Sequence, residues 1–217
     1  MKKLMALILA LAAALTLVAC DGGNSNGGSL DGSSSDDGSS NGDILEERDL
    51  LQSKSIAKGN KIEFGGIDWI VLEVVNGLNG KSALVLSDKV LEKREFDESS
   101  SDWETSDIRQ YLNGEFYENT FSSSEKNKIA ESDITNTGNN TKDRIFLLSD
   151  EEAQMAKYFA SDKGRIALDI NTGEALWWWL RSPGDSVGNH TVEMDGSIDG
   201  YVFSGAGGVR PALWLNL

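Results

Sequence analysis

The sequence predicts an α+β domain of small twisted antiparallel sheets with two or three short helices. Three observations predict it. A meander with β-branched and aromatic filling occupies residues 61–86, helical spacing with side-chain caps follows between Ser106 and Phe159, and β patterning returns from Leu176 to Leu215.

Lys61-Ile62-Glu63-Phe64 and Asp68-Trp69-Ile70-Val71-Leu72-Glu73-Val74-Val75 read as two strands. Asn76-Gly77 and Asn79-Gly80 supply turn chemistry before a third, Ser82 to Leu86. Ser106 caps a helix in which Ile108, Tyr111 and Leu112 share one face, with Gly114 ending or bending it. Phe116, Tyr117 and Phe121 follow as core candidates. Ser122-Ser123-Ser124-Glu125 matches a capping box for a second helix ending near Ala130. Thr135 to Thr141 is polar and loop-like, and Arg144 to Leu148 returns to strand. Ser149-Asp150-Glu151-Glu152 is another capping box, opening a helix that carries Ala153, Met155, Ala156 and Phe159. In the last third, Leu176-Trp177-Trp178-Trp179-Leu180-Arg181 is an apolar strand broken by Ser182-Pro183-Gly184. His190 to Met194 and Ile198 to Phe203 form a hairpin about Asp195-Gly196, and Gly207-Gly208 leads into a last strand, Val209 to Leu215.

The N-terminus carries a different kind of signal. Lys2 and Lys3 precede an apolar stretch, Leu4 to Val18, which runs through Leu17-Val18-Ala19 into the single cysteine, Cys20. A basic n-region, an apolar h-region and small residues make residues 1–19 a secretory signal, too short for a bilayer span. The ending resembles the bacterial lipobox, which implies that Cys20 is acylated, with chains such as palmitate, and becomes the first mature residue. Two or more acyl chains give stable membrane anchoring where one gives marginal anchoring. Residues 20–43 then form a Gly/Ser/Asn/Asp tether with nothing apolar to offset its conformational entropy. Residues 44–59 fit either a short helix or the linker's end, and 60–217 form the globular domain. The expected location is the bacterial cell envelope, facing outward from the cytoplasmic membrane or on the cell surface.

A formal net charge of −15 argues against nucleic acid as a partner, because a polyanion is repelled. With Cys20 committed to lipid, the domain has no thiol for a disulfide, a redox pair or a zinc–thiolate site.

Several segments together resemble a bacterial family, domain of unknown function 6273. They are Ile67 to Leu72; Trp103-Glu104-Thr105-Ser106 with Arg109 and Tyr111 to Tyr117; Phe146 to Ser149; Trp177 to Gly184; and Gly207 to Leu213. Their order extends the resemblance from about Lys61 to the end. It implies a C-type-lectin-like fold, distantly related to formylglycine-generating enzymes. The oxidase chemistry of those enzymes needs active-site cysteines and is not implied here. Calcium-dependent sugar binding uses Glu-Pro-Asn-like and Trp-Asn-Asp-like runs, and neither occurs. Relatives of the fold include ligand-binding proteins diversified near their C-termini, an analogy at the level of the fold alone.

Candidate chemistry is sparse. His190 is the only histidine, it sits beside Asn189 in polar surroundings, and no Gly-x-Ser-x-Gly elbow accompanies it, so it reads as a surface loop residue. Asp185, Asp195 and Asp199 are possible oxygen ligands for calcium, but Asp195 suits the hairpin turn and no metal site is assigned. Strand alternation puts Trp177 and Trp179 on one face and Trp178 on the other, with at least two of the three in structural use. Arg181 and Arg210 lie in apolar strands and need carboxylate or carbonyl partners if buried. The best binding face is residues 185–207, rich in Ser, Asn, Asp, Tyr and Gly. The expected ligand contacts are Asp185, Ser186, Asn189, His190, Asp199 and Tyr201. The expected function is therefore a non-enzymatic, lipid-anchored domain binding an extracellular protein or glycan, with no cofactor and no catalytic residues. The alternatives are an exported enzyme, either a hydrolase or a diverged formylglycine-enzyme relative, and a structural envelope component.

Overall fold

Local signals become elements in a computed structural model that describes residues 56–77, 80–184, 188–201 and 205–217. The first three strands, β1 (Lys61–Phe64), β2 (Ile67–Gly77) and β3 (Gly80–Ser87), form the expected meander. The register of β2 slips between Val71 and Glu73, leaving Leu72 as a bulge. Val71 and Leu72, at that slip, are both buried. A short β4 (Glu92–Arg94) follows.

Ser106 caps α1 (Asp107–Tyr111), its hydroxyl accepting from Arg109 N–H. Gly114 does not end the helical run: the chain widens into a π turn over Leu112–Phe116 and continues as α2 (Tyr117–Thr120). Leu112 and Phe116, four residues apart across this turn, both reach the core. The capping box at Ser122 and Glu125 opens α3 (Ser123–Lys126), which stops four residues short of the expected end. The chain instead turns so that Ile129 bridges Leu215. β5 (Ser132–Ile134) pairs with β6 (Thr141–Asp143), and β7 (Ile145–Phe146) follows. The second capping box opens α4 (Asp150–Gln154). Met155 is already extended, so Phe159 reaches the core from a turn rather than from the helix.

After a 3₁₀ turn at Asp162–Arg165 come β8 (Trp178–Pro183), β9 (Asn189–Val192), β10 (Ile198–Tyr201), β11 (Gly207–Val209) and β12 (Ala212–Asn216). The last strand is thus two strands, divided at Arg210-Pro211 and placed in different sheets. Pro211 has no N–H to continue a ladder, and its carbonyl accepts from Ser87 N–H at 2.9 Å. One five-stranded sheet has the order β1-β2-β3-β12-β7 and the other β10-β9-β8-β11-β4. Neighbours run antiparallel except β8 and β11, which meet in parallel at Gly208 and Trp178. The fold class is α+β, with small, mainly antiparallel sheets and few short helices. No helix among the described residues is long and apolar enough to cross a membrane.

The core is aromatic. Trp69, Trp103, Trp178 and Trp179 are its largest fully buried apolar side chains. Trp177 and Trp179 meet edge-on at 4.9 Å on one face, as alternation requires, and Trp178 is buried on the other. Gly207 allows the first pair to close, because a Cβ there would overlap the Trp177 ring.

Two buried carboxylates fasten the helical region. Asp143 accepts from Trp103 Nε1 (2.9 Å), Thr141 Oγ1 (2.7 Å) and Arg109 Nε (2.7 Å). Asp97 accepts from Ser99 and Ser100 N–H at 2.7 and 2.8 Å and from Asp107 N–H at 3.3 Å. Burial acts to raise the Asp97 pKa, but these backbone bonds outweigh it and hold the carboxyl below its ordinary 3.8.

Asp143→Ala strands three donors at once, one of them charged, and is expected to lower unfolding stability by about 3 kcal/mol, read from the urea midpoint. Asp97 stabilises the fold fully above its unfolded pKa, and that contribution is lost as pH falls through the depressed folded value. Asp97→Asn should therefore cost stability at pH 6 and much less at pH 2, measured by denaturant titration at both values.

Candidate functional site

The hairpin of β9 and β10 forms one wall of an open depression of about 420 Å³. His190, Ile198 and Gly200 line it from the hairpin, with Ser197 and Asp199 beside them. Asp150 and Gln154 line it from α4, and Asp162 and Arg165 from the 3₁₀ turn. His190 and Gly200 are cross-strand partners, so they share a sheet face.

Each wall has a local reason for its position. The turn of the hairpin is closed by Asp195, whose carboxylate accepts from Ser197 N–H at 2.9 Å and Oγ at 2.7 Å. The Ser197 hydroxyl and amide hold that carboxyl below its ordinary value, so Asp195 serves the turn. Gly196 takes φ +88°, and a Cβ there would overlap the Asp162 carbonyl. Glycine is thus required both by the turn and by the close approach of the 3₁₀ segment. Arg165 locks this approach, donating Nε to Gly196 O (2.8 Å), Nη1 to Ala153 O (3.3 Å) and Nη2 to Asp162.

Helix α4 is positioned by Arg181. Its guanidinium is buried and forms a two-pronged ion pair with Glu152 at 2.6 and 3.1 Å. It also donates to Leu147 O, Thr135 O and Asn136 Oδ1. Arg181 is therefore a structural anchor: Glu152 fixes the first turn of α4 and with it Asp150. The Asp150 N–H donates to Ser182 Oγ at 3.0 Å.

His190 is not in a loop. It lies on β9 with its side chain 20 % exposed, and Nδ1 is 3.1 Å from Asp150 Oδ2. Despite this approach Nδ1 has no hydrogen-bond partner among the described residues. Asp199 is exposed, and its Oδ1 accepts from Gly200 N–H at 2.8 Å. Each nitrogen of the Arg165 guanidinium is bonded within the protein, one of them to Asp162, and the lining then carries the carboxylates of Asp150, Asp162 and Asp199. Among the described residues no group of His, Cys, Asp and Glu has the arrangement of a metal site.

Of the residues expected to touch ligand, His190 and Asp199 line this depression. Asn189 does not: it is fully buried and donates to Ser101 O at 3.0 Å and Ser182 O at 3.4 Å. Tyr201 ends β10, where only its backbone is described. Asp185, Ser186 and Cys20 lie outside the described residues. Asp150, Gln154, Asp162 and Arg165 complete the site and escape sequence reasoning. The capping box placed Asp150 at a helix start, but no local signal brings that start to His190.

No curated protein and no solved structure matches the chain. A family model does match, from β3 to the C-terminus, leaving out the first two strands of the meander. Over residues 80–217, well over half of its length, the chain belongs to the family described as "Domain of unknown function (DUF6273)".

Proposed function

We propose that this chain is a bacterial lipoprotein, acylated at Cys20 and held outside the cytoplasm, whose folded region binds a polar extracellular ligand without transforming it. The observation that carries the binding reading is the open depression in which His190 and Asp199 meet Asp150 and Asp162. A polar bowl between a hairpin and a short helix suits adaptable contacts presented by a rigid sheet. Proteins and glycans both fall within that chemistry.

The anchor reading rests on Lys2, Lys3, the apolar stretch to Val18 and the position of the sole cysteine. The small, mainly antiparallel sheets and short helices support a place beside C-type lectins and formylglycine-generating enzymes, as a likeness of architecture. One observation favours a second reading, an exported hydrolase. His190 lies against Asp150 with two further carboxylates across the bowl, and in that case His190 is the base and Asp150 orients it.

Radiolabelled palmitate should enter the wild-type protein in the membrane fraction, and Cys20→Ala should abolish the labelling. Unlabelled, cytosolic wild-type protein overturns the anchor. The Cys20→Ala chain should bind discrete spots on glycan and surface-protein arrays. Asp150→Asn should weaken that binding about tenfold with little change in melting temperature, the size expected for losing one charge-assisted contact. Chemical conversion of the captured ligand, lost in His190→Gln, would establish the hydrolase instead.

A further inference from the structure

Among the described residues strand β10 is an edge of its sheet, next only to β9. Ser197 O accepts from Glu193 N–H at 2.8 Å, which fixes the phase of the hairpin ladder. Backbone groups alternate inward and outward with a period of two, so Asp199 faces β9 and Ile198 and Gly200 face away. The Gly200 N–H confirms this phase, because its acceptor is the Asp199 carboxylate and not β9. Among the described residues no other backbone bond occupies this edge. Edges of this kind accept an added strand unless they are covered or blunted.

We propose that β10 binds an extended basic peptide segment by strand addition, its Lys or Arg side chains lying over the acidic bowl. This deepens the ligand-binding reading and rests on it. An added strand lies about 4.8 Å from β10, and alternate side chains project onto the face that carries His190 and Gly200. That face opens on Asp150 and Asp162. Charge complementarity selects the partner: Asp150, Asp162 and Asp199 line the bowl against one guanidinium, Arg165, which pairs with Asp162, so the balance is negative, and the whole chain carries −15. Asp199 provides an exchange. Until a peptide arrives it blunts the edge by accepting from Gly200 N–H. An incoming carbonyl takes that N–H, and the released carboxylate pairs with a peptide cation.

The probe is a short fluorescent peptide of alternating lysine and valine, titrated against the full chain by anisotropy. Binding is expected, with loss in the glutamate-for-lysine peptide and in a peptide N-methylated at alternate amides. Asp199→Asn keeps an acceptor but loses the charge, and should weaken binding about tenfold. Gly200→Pro removes an N–H that no ladder uses, a substitution edge strands tolerate, and should abolish binding with the melting temperature retained. If Gly200→Pro unfolds, the N-methylated peptide decides alone. No binding of the lysine peptide, equal binding of the glutamate peptide, or indifference to N-methylation overturns the proposal. If array hits sensitive to Asp150→Asn survive that failure, strand addition falls and the ligand-binding reading stands; if they are also absent, both fall.

Discussion

Arg210 is a full positive charge placed where water cannot reach it, and the two large sheets are arranged around it. It sits at the point where the chain leaves β11 of one sheet and enters β12 of the other. Only 1 % of the residue is exposed. Its guanidinium donates to Ser87 O (3.0 Å), Arg165 O (3.1 Å) and Asp88 O (3.5 Å), and stacks 4.9 Å over Trp178. Burial pushes its pKa down to about 10, partly opposed by the Asp88 charge, so it stays protonated at neutral pH. A planar donor fork satisfies carbonyls from the end of β3 and from the 3₁₀ turn together, which a lysine point charge does less well.

The clamp reaches the candidate site through one residue. The Arg165 carbonyl accepts from Arg210 and from Trp178 Nε1, while its side chain holds the hairpin turn at Gly196, the end of α4 at Ala153 and the carboxylate of Asp162. Arg181 performs the corresponding task for the start of α4 through Glu152. Arginines in the apolar interior thereby fix where a bowl of aspartates opens. Buried cations position the acidic face, and only Asp162 among its carboxylates is ion-paired by one of them, Arg165.

What could be read from the chain follows the range of the forces involved. Ser106, Ser122 and Ser149 bond to amides three residues away, so their caps were legible from spacing alone. Asp195-Gly196 announced its turn for the same reason, and alternation assigned the faces of the three tryptophans. Helix lengths were not legible, because tertiary contacts such as the Ile129–Leu215 bridge end α3 early. The bulge at Leu72 and the change of sheet at Arg210-Pro211 depend on what lies across the core. At the site, His190 and Asp199 share a hairpin and were found together. Asp150 meets His190 only because Arg181 docks α4 against β8, a contact with no signature in either segment.

The candidate site is held in place by the buried clamp, and Arg210→Met with amide hydrogen exchange tests that dependence directly. Methionine keeps the apolar stem but takes the guanidinium from the buried Ser87 carbonyl and leaves the Arg165 carbonyl with Trp178 Nε1 alone, at a cost of about 3 kcal/mol. The prediction is a lower denaturation midpoint with faster exchange concentrated in β9, β10 and the 3₁₀ turn. An unchanged midpoint with full protection of that hairpin would contradict it.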